Sequence, residues 1–292
     1  MNVLITGAGG QLGRALIALA PEQAMVRGVS HAQLDVADPR AVDAVLRDFR
    51  PDVLVNAAGF TRVDDAETER EAAERANAIG PAVLAAACRS AGAWLVQVST
   101  DYVFDGAQSR PYTPDAAPHP LSVYGKTKLL GEAAVIRELP SQSTVVRTSW
   151  LYAADGRNFL TTMLRLMQTR SRLTVVSDQI GAPTSVTGLA RVLWAFTLRR
   201  ASGLHHWCDS GVASWYDFAV AIAEEAVTLG VLASSPPILP IAGADYPTRA
   251  RRPAYSLLEK RDTERLLGIT APHWRQSLRE VLGALANTGA PR

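Results

Sequence analysis

Asn2-Val3-Leu4-Ile5-Thr6-Gly7-Ala8-Gly9-Gly10-Gln11-Leu12-Gly13 is the stretch whose reading decides the fold. Its first five residues form a short apolar run without polar alternation, as a strand covered on both faces requires. Glycines follow at 7, 10 and 13, and Arg14 to Ala20 has helical character. A strand, a glycine turn and a helix in that order suit a dinucleotide. Gly7, Gly10 and Gly13 let the backbone approach a pyrophosphate, and the helix start offers free N–H groups and partial positive charge.

Outward from this unit the pattern repeats. Met25 to Val29 reads as the second strand. An NAD-selective site carries an acid near the end of that strand, for the ribose hydroxyl. Here Arg27, Ser30 and His31 stand instead, so NADPH is favoured, with Arg27 or a neighbour meeting the 2′-phosphate; NADH stays open, as does an Arg27 that faces solvent. Asp35 can reach an adenine amino group or cap a turn. Asp38 reads as an N-cap with Pro39 at the first helical position. Val53 to Gly59 is a strand ending in small residues, which leave room for a flat ligand. Ala66 to Ala91 reads as one long helix with Asn77 inside it, either bonded to an adjacent loop or on the surface. Trp94 to Val98 is a strand, Pro111 to Pro120 with its four prolines a loop, Ser122 to Glu138 a helix and Thr144 to Ser149 a strand. Repeated β-α units predict an α/β fold, a doubly wound, Rossmann-like parallel sheet.

Beyond Trp150 the regularity fades into interleaved helices and strands. The expectation is a dinucleotide-binding domain over 1–148 plus about 173–200, and a smaller C-terminal substrate lobe over about 149–172 plus 201–292. His205 and His206 are adjacent, face opposite ways in a strand, and form no joint metal site.

The 292 residues carry a formal charge of +2 with no dense basic run, so nucleic acid is not implied. Apolar residues make up 48% of the chain, ordinary for a soluble globular protein, and no run is long enough to suggest a membrane span. Cys88 and Cys208 lie far apart without ligand spacing and read as reduced thiols. The chain enters a strand at once without a basic leader, and the expectation is a cytoplasmic protein.

The chemistry concentrates between Ser99 and Lys128. Tyr124 and Lys128 are four apart, so in a helix they share one face. A phenol ordinarily keeps its proton to about pH 10, and an ammonium beside it favours the phenolate and lowers that value. A hydroxyl from the preceding strand end, Ser99 or Thr100, can hydrogen-bond the substrate oxygen that takes the proton. A proton donor, its tuner and a carbonyl polariser suit reduction of a carbonyl by a nicotinamide.

Several motifs resemble those of the extended short-chain dehydrogenase/reductase superfamily, and within it the dTDP-4-dehydrorhamnose reductase family. They are the glycine turn, Asn56-Ala57-Ala58-Gly59-Phe60-Thr61-Arg62-Val63-Asp64, Ser99-Thr100-Asp101-Tyr102-Val103-Phe104-Asp105-Gly106, Tyr124-Gly125-Lys126-Thr127-Lys128, Arg147-Thr148-Ser149-Trp150, Asn158-Phe159, Asp178 to Thr184, and Arg252-Pro253. The resemblance implies NAD(P)H-dependent reduction of the 4-keto group of dTDP-4-dehydro-β-L-rhamnose, the last step in making dTDP-L-rhamnose for cell-surface polysaccharide. It makes Tyr124 the proton donor. Lys128 lowers the tyrosine pKa and holds the nicotinamide ribose, and Thr100 tunes the tyrosine or binds the keto oxygen. It assigns Gly10, Gln11 and Leu12 to the pyrophosphate, Asp35 and Val36 to adenine, and Ala57, Ala58 and Gly59 to the nicotinamide side. Val98 joins the cofactor contacts, and Val63, Thr100, Asp101, Tyr102 and Trp150 border the nucleotide sugar. The family includes magnesium-linked homodimers, although no compact carboxylate cluster here demands a metal. Two rival readings remain: an NAD-dependent nucleotide-sugar epimerase or dehydratase, and a non-catalytic regulatory subunit of the same fold.

Overall fold

The computed structural model describes residues 1–287. The first half runs β1 (Asn2–Thr6), α1 (Gln11–Ala18), β2 (Met25–Val29), α2 (Pro39–Phe49), β3 (Val53–Asn56), α3 (Arg70–Glu74), α4 (Gly80–Ala91), β4 (Trp94–Thr100), α5 (Val123–Glu138) and β5 (Ser143–Thr148). It continues through β6 (Leu151–Tyr152), α6 (Phe159–Thr169), β7 (Leu173–Val176), β8 (Ile180–Gly181), β9 (Thr184–Ser185), α7 (Val186–Arg199) and β10 (Gly203–His206). Last come β11 (Ala213–Ser214), α8 (Trp215–Thr228), β12 (Ile238–Ile241), α9 (Arg261–Leu267) and α10 (Trp274–Asn287). No helix among the described residues is long and apolar enough to cross a membrane.

Six strands form one parallel sheet in the order β10-β5-β4-β3-β1-β2. The period-2 geometry of a strand splits its apolar residues between two layers. Val3, Ile5, Val53, Val55, Val96, Val98 and Val146 pack against α1 and α7. Leu4, Leu54, Leu95 and Val145 pack on the other side with α2, α4 and α5. Both faces are covered, which is why these strands read as continuous apolar runs. Asp38 caps α2 as its sequence position suggests, accepting from the Arg40 and Ala41 N–H groups. Cys88 and Cys208 are free and buried.

A second apolar cluster joins α6, α8 and α10 with β7. It departs from the expected division of the chain at two places. Leu173–Val176, assigned from sequence to the dinucleotide domain, pairs with β12 and buries Leu173 and Val175 in this second cluster. Gly203–His206, assigned to the substrate lobe, instead pairs with β5 as the sixth strand of the main sheet. Hydrogen-bonding partners place both strands, and short strands carry no sequence mark of their partner.

The expected helix over Ala66 to Ala91 is broken. A 3-10 turn covers Asp65–Glu67, α3 follows, and a π-helical stretch spans Arg75–Ile79 before α4. Pro81 lacks the N–H that would bond the Asn77 carbonyl, so the α-helical ladder must change there. The freed carbonyl lets α5 come close: a Cβ on Gly131 would sit 2.1 Å from the Asn77 oxygen. Gly125 does the same at the end of β4, where a Cβ would meet the Tyr102 carbonyl at 2.1 Å. Small residues thus seat α5, and with it Tyr124 and Lys128, against the sheet edge. Gly131→Ala is expected to lose about 1–3 kcal/mol of stability in urea denaturation. An unchanged midpoint would mean that α5 does not depend on this approach.

Candidate active site

β1 lies between β2 and β3, so the chain switches direction across the sheet at the β1–β3 crevice, where open α/β sheets take ligands. Gly7 lines that crevice with φ of 71°, and a Cβ there would lie 2.6 Å from the Ala57 and Ala58 backbone. Gly13 is equally crowded, since its Cβ would come within 2.2 Å of the Gly7 carbonyl oxygen. Gly10 is the N-cap of α1 and no side chain caps that helix, leaving its first amides available to an anion. This cradle fits a pyrophosphate: the turn packs backbone against backbone, so that a side chain at 7 or 13 would force it apart, and its free amides are those at the start of α1. The Gln11 side chain is taken by the second lobe, accepting from Asn158 Nδ2 at 2.8 Å and donating to the Arg157 carbonyl at 3.3 Å. What Gln11 and Leu12 offer a phosphate is backbone.

Lys128 is buried, and its Nζ donates to the Val98 carbonyl at 2.7 Å. Nζ also faces Gly59, lying 3.8 Å from where a Cβ of that residue would be. Burial pushes the Lys128 amine down to about 8, with Glu132 one turn further on opposing the shift. A polar chain runs beneath it. Thr6 Oγ1 donates to Asn56 Oδ1 at 2.6 Å, Asn56 Nδ2 to Gln97 Oε1 at 2.8 Å, and Gln97 Nε2 to the same Val98 carbonyl at 2.8 Å. Sequence reasoning missed Gln97 and gave Asn56 no role. Their signal was a polar residue in each of two otherwise buried apolar strands, a placement that requires partners.

Tyr124 is half-buried on the same helix face. Its phenol is pushed up to about 12 by burial; the Thr100 hydroxyl works against that shift and the Asp101 carboxyl adds to it. This corrects the expectation that Lys128 lowers the phenol below its ordinary value: desolvation wins, and the ammonium is engaged at Val98. Thr100 is fixed on two sides, donating to Asp101 Oδ1 at 3.0 Å and accepting from the Tyr102 N–H at 3.2 Å. Asp101 was expected to border the sugar. It is instead buried, accepts from Ser256 Oγ at 2.5 Å, and has its carboxyl pushed up to about 7 by burial. It holds Thr100 in place. Ser99, the other candidate hydroxyl, is buried with no hydrogen-bond partner. Tyr102 presents its ring edge-on to Tyr124 at 5.8 Å, and its hydroxyl meets Arg252.

The remaining candidates divide. Val63 is half-buried beside Asp64, which pairs with Arg252 at 2.7 Å and so ties the β3 loop to the C-terminal lobe. Trp150 follows β5 in the left-handed region at φ of 47°, a strain of about 1–3 kcal/mol for a bulky residue. Asp35 accepts from the Ala37 N–H and pairs with Arg75 at 2.6 Å, and these contacts hold its carboxyl below the usual range. Val36 is buried against Gly80. Arg27 is not brought to the site. It lies mid-strand in β2 with its guanidinium paired to Asp48 at 2.6 Å and over the Phe49 ring, so the expected 2′-phosphate contact has no support from its position. Asn77 bonds a loop, accepting from the Phe60 N–H at 2.8 Å and donating to the Phe60 carbonyl at 3.0 Å. No cluster of three or more His, Cys, Asp or Glu side chains that could hold a metal ion is found among the described residues.

A dinucleotide cradle at the switch point, with a threonine, a tyrosine and a buried lysine beside it, defines a nicotinamide-dependent oxidoreductase of the extended short-chain type. Known proteins narrow this class. The RmlD substrate binding domain family matches residues 1–287. The dTDP-4-dehydrorhamnose reductase of Aggregatibacter actinomycetemcomitans is 40% identical over 288 residues, covering 96% of this chain and 98% of that protein. The solved structure of a dTDP-4-dehydrorhamnose reductase from Clostridium acetobutylicum superposes with a TM-score of 0.91 at 40% identity, over 98% of this chain and 99% of that one. A third, the Bacillus anthracis dTDP-4-dehydrorhamnose reductase in complex with NADP, gives 0.90 at 36% identity, over 96% and 98%. The chain belongs to the RmlD family, that of the dTDP-4-dehydrorhamnose reductases.

The two shifted groups make a pH prediction. The Lys128 amine, lowered to about 8, loses its charge as pH rises through that value, whereas the Tyr124 phenol keeps its proton to about 12. Turnover that needs both groups protonated is therefore expected to be level below pH about 8 and to fall tenfold per unit above it. A steady-state pH profile level to pH 10 would contradict this.

Proposed function

We propose that this chain reduces the 4-keto group of dTDP-4-dehydro-β-L-rhamnose to dTDP-L-rhamnose. The observation that carries the proposal is the convergence of Thr100, Tyr124 and Lys128 beside the glycine cradle, in a chain aligned along nearly its whole length with named reductases. When bound, NADPH supplies the hydride. The NADP held by the Bacillus anthracis relative favours that cofactor over NADH. Gly7, Gly10, Gln11, Leu12 and Gly13 would hold the pyrophosphate. Asp35 and Val36 would flank the adenine, and Ala57, Ala58, Gly59 and Val98 would line the nicotinamide side.

Tyr124 holds its proton firmly through neutral pH and gives it to the keto oxygen as negative charge develops there. Thr100, held in place by Asp101 and the Tyr102 N–H, keeps its hydroxyl at the phenol; turning its one proton from Asp101 to the phenol oxygen would favour the phenolate left behind. Lys128 keeps a positive charge on the same helix face and directs it toward Gly59. Val63, Tyr102 and Trp150 would border the sugar nucleotide, with Arg252 orienting Tyr102.

Loss of dihydronicotinamide absorbance with dTDP-4-dehydrorhamnose tests the reading. Tyr124→Phe is expected to lower kcat by about 10²-fold or more while the Kd for NADPH stays put. Lys128→Ala should weaken both. One NADPH consumed per sugar excludes the epimerase reading, in which the hydride returns. Unchanged turnover in Tyr124→Phe would remove the proposed acid.

A further inference from the structure

Trp150 is held in a backbone conformation that its own bulk disfavours, with φ of 47°. Segments distant in sequence keep it there. The Thr184 N–H donates to the Trp150 carbonyl at 3.2 Å. Gly181 lies against the indole: a Cβ there would come within 2.8–3.0 Å of Cε2, Cζ2 and Nε1. Trp215 stacks on the ring with centroids 3.6 Å apart and planes 7° from parallel.

Local chemistry fixes both clamp residues. Trp215 opens α8, whose N-terminus carries a capping box in which Ser214 and Asp217 satisfy each other's backbone N–H. Gly181 pairs with Ala213 and Ile180 with Ser214, so the two residues belong to one hydrogen-bonded unit. Phe159 packs on Trp215 at 4.7 Å, just after Asn158 caps α6 with its own capping box. The clamped indole stands at the reacting end of the sheet. Trp150 is two residues beyond Thr148, the register partner of Thr100. It remains half-buried rather than sealed.

We infer that Trp215 and Gly181 are positioning residues that lock the Trp150 indole as a rigid apolar wall for the hexose ring of the sugar nucleotide. The inference rests on the reductase reading, in which Tyr124, with Thr100 at its phenol, faces the keto oxygen. A wall beside Thr100 meets the sugar rather than the base. A stiff aromatic surface takes up the C–H face of a pyranose without losing side-chain freedom on binding, and it sets the height at which the keto carbon stands over the cofactor groove.

Steady-state kinetics on Trp150→Ala, Trp215→Leu, Trp215→Phe and Gly181→Ala test this. Trp215→Leu is expected to raise KM for dTDP-4-dehydrorhamnose about 3- to 10-fold, the worth of one aromatic pair, with KM for NADPH unchanged. Trp215→Phe restores most of the loss. Gly181→Ala, which pushes the indole without touching Trp215, raises the same KM. The circular-dichroism couplet of the stacked indoles vanishes in Trp215→Leu and Trp150→Ala alike. If Trp150→Ala raises the sugar KM and Trp215→Leu does not, the clamp is wrong. Equal losses for both substrates, unrescued by phenylalanine, would mark Trp215 as structural only and overturn the inference. Wild-type protein that never oxidises NADPH with the sugar nucleotide would sink the reductase reading itself, a failure separate from the clamp's.

Discussion

One backbone carbonyl, that of Val98, receives the ammonium that the rest of the site is arranged around. Along β4, the Trp94 N–H donates toward β3 and the Leu95 N–H toward the β5 side. Alternation then aims the Val98 carbonyl at the β3 side, and the ladder between β3 and β4 ends at the Asn56–Gln97 pair. The carbonyl has outrun its neighbouring strand. A buried carbonyl without a partner is costly, and here two donors answer it: Lys128 Nζ and Gln97 Nε2. The Gln97 amide is in turn oriented by Asn56, whose Oδ1 also accepts from Thr6 and from the Ala58 N–H at 3.1 Å. One network therefore fixes the lysine, the end of β1 and the turn after β3.

The second lobe closes on this edge through two segments. One is the loop before α6, where Asp155 pairs with Arg14 at 2.9 Å and Asn158 bonds Gln11. The Asp155–Arg14 pair is exposed and contributes little to stability, of order 0–1 kcal/mol. The other is the stretch from Ala250 to Ser256, where Arg252 and the Ala250 N–H meet Asp64 and Ser256 meets Asp101. This contact is more deeply placed and reaches Thr100 through Asp101. The second lobe thereby sets the position of the Thr100 hydroxyl.

The fold was legible because both faces of the sheet are buried and some helices carry their own start signal. The glycine turn and the Asp38-Pro39 cap read directly from local chemistry, and Ser122, where the helix was expected to start, proves to be its cap. Tyr124 and Lys128 were legible as a pair because α-helical spacing puts them on one face. What could not be read depends on burial and on partners far along the chain. The direction of the Tyr124 shift follows from desolvation, which no spacing reveals. That Asp101 is bonded by Ser256, 155 residues later, is a long-range contact that no local pattern announces. Arg27 sits two residues short of the sheet edge and finds Asp48 on the neighbouring helix. The π-helical stretch was present in the sequence as Pro81, but alanine-rich periodicity masked it.

The account stands on Lys128 being a desolvated ammonium held by the Val98 carbonyl. The chain contains three lysines, Lys126, Lys128 and Lys260, so lysine-labelled NMR gives three side-chain signals, and Lys128→Arg assigns the one that disappears. Titration of the wild-type protein should show that signal changing near pH 8, well below the ordinary lysine value of about 10.4. A midpoint at the ordinary lysine value would place the amine in water and contradict the arrangement.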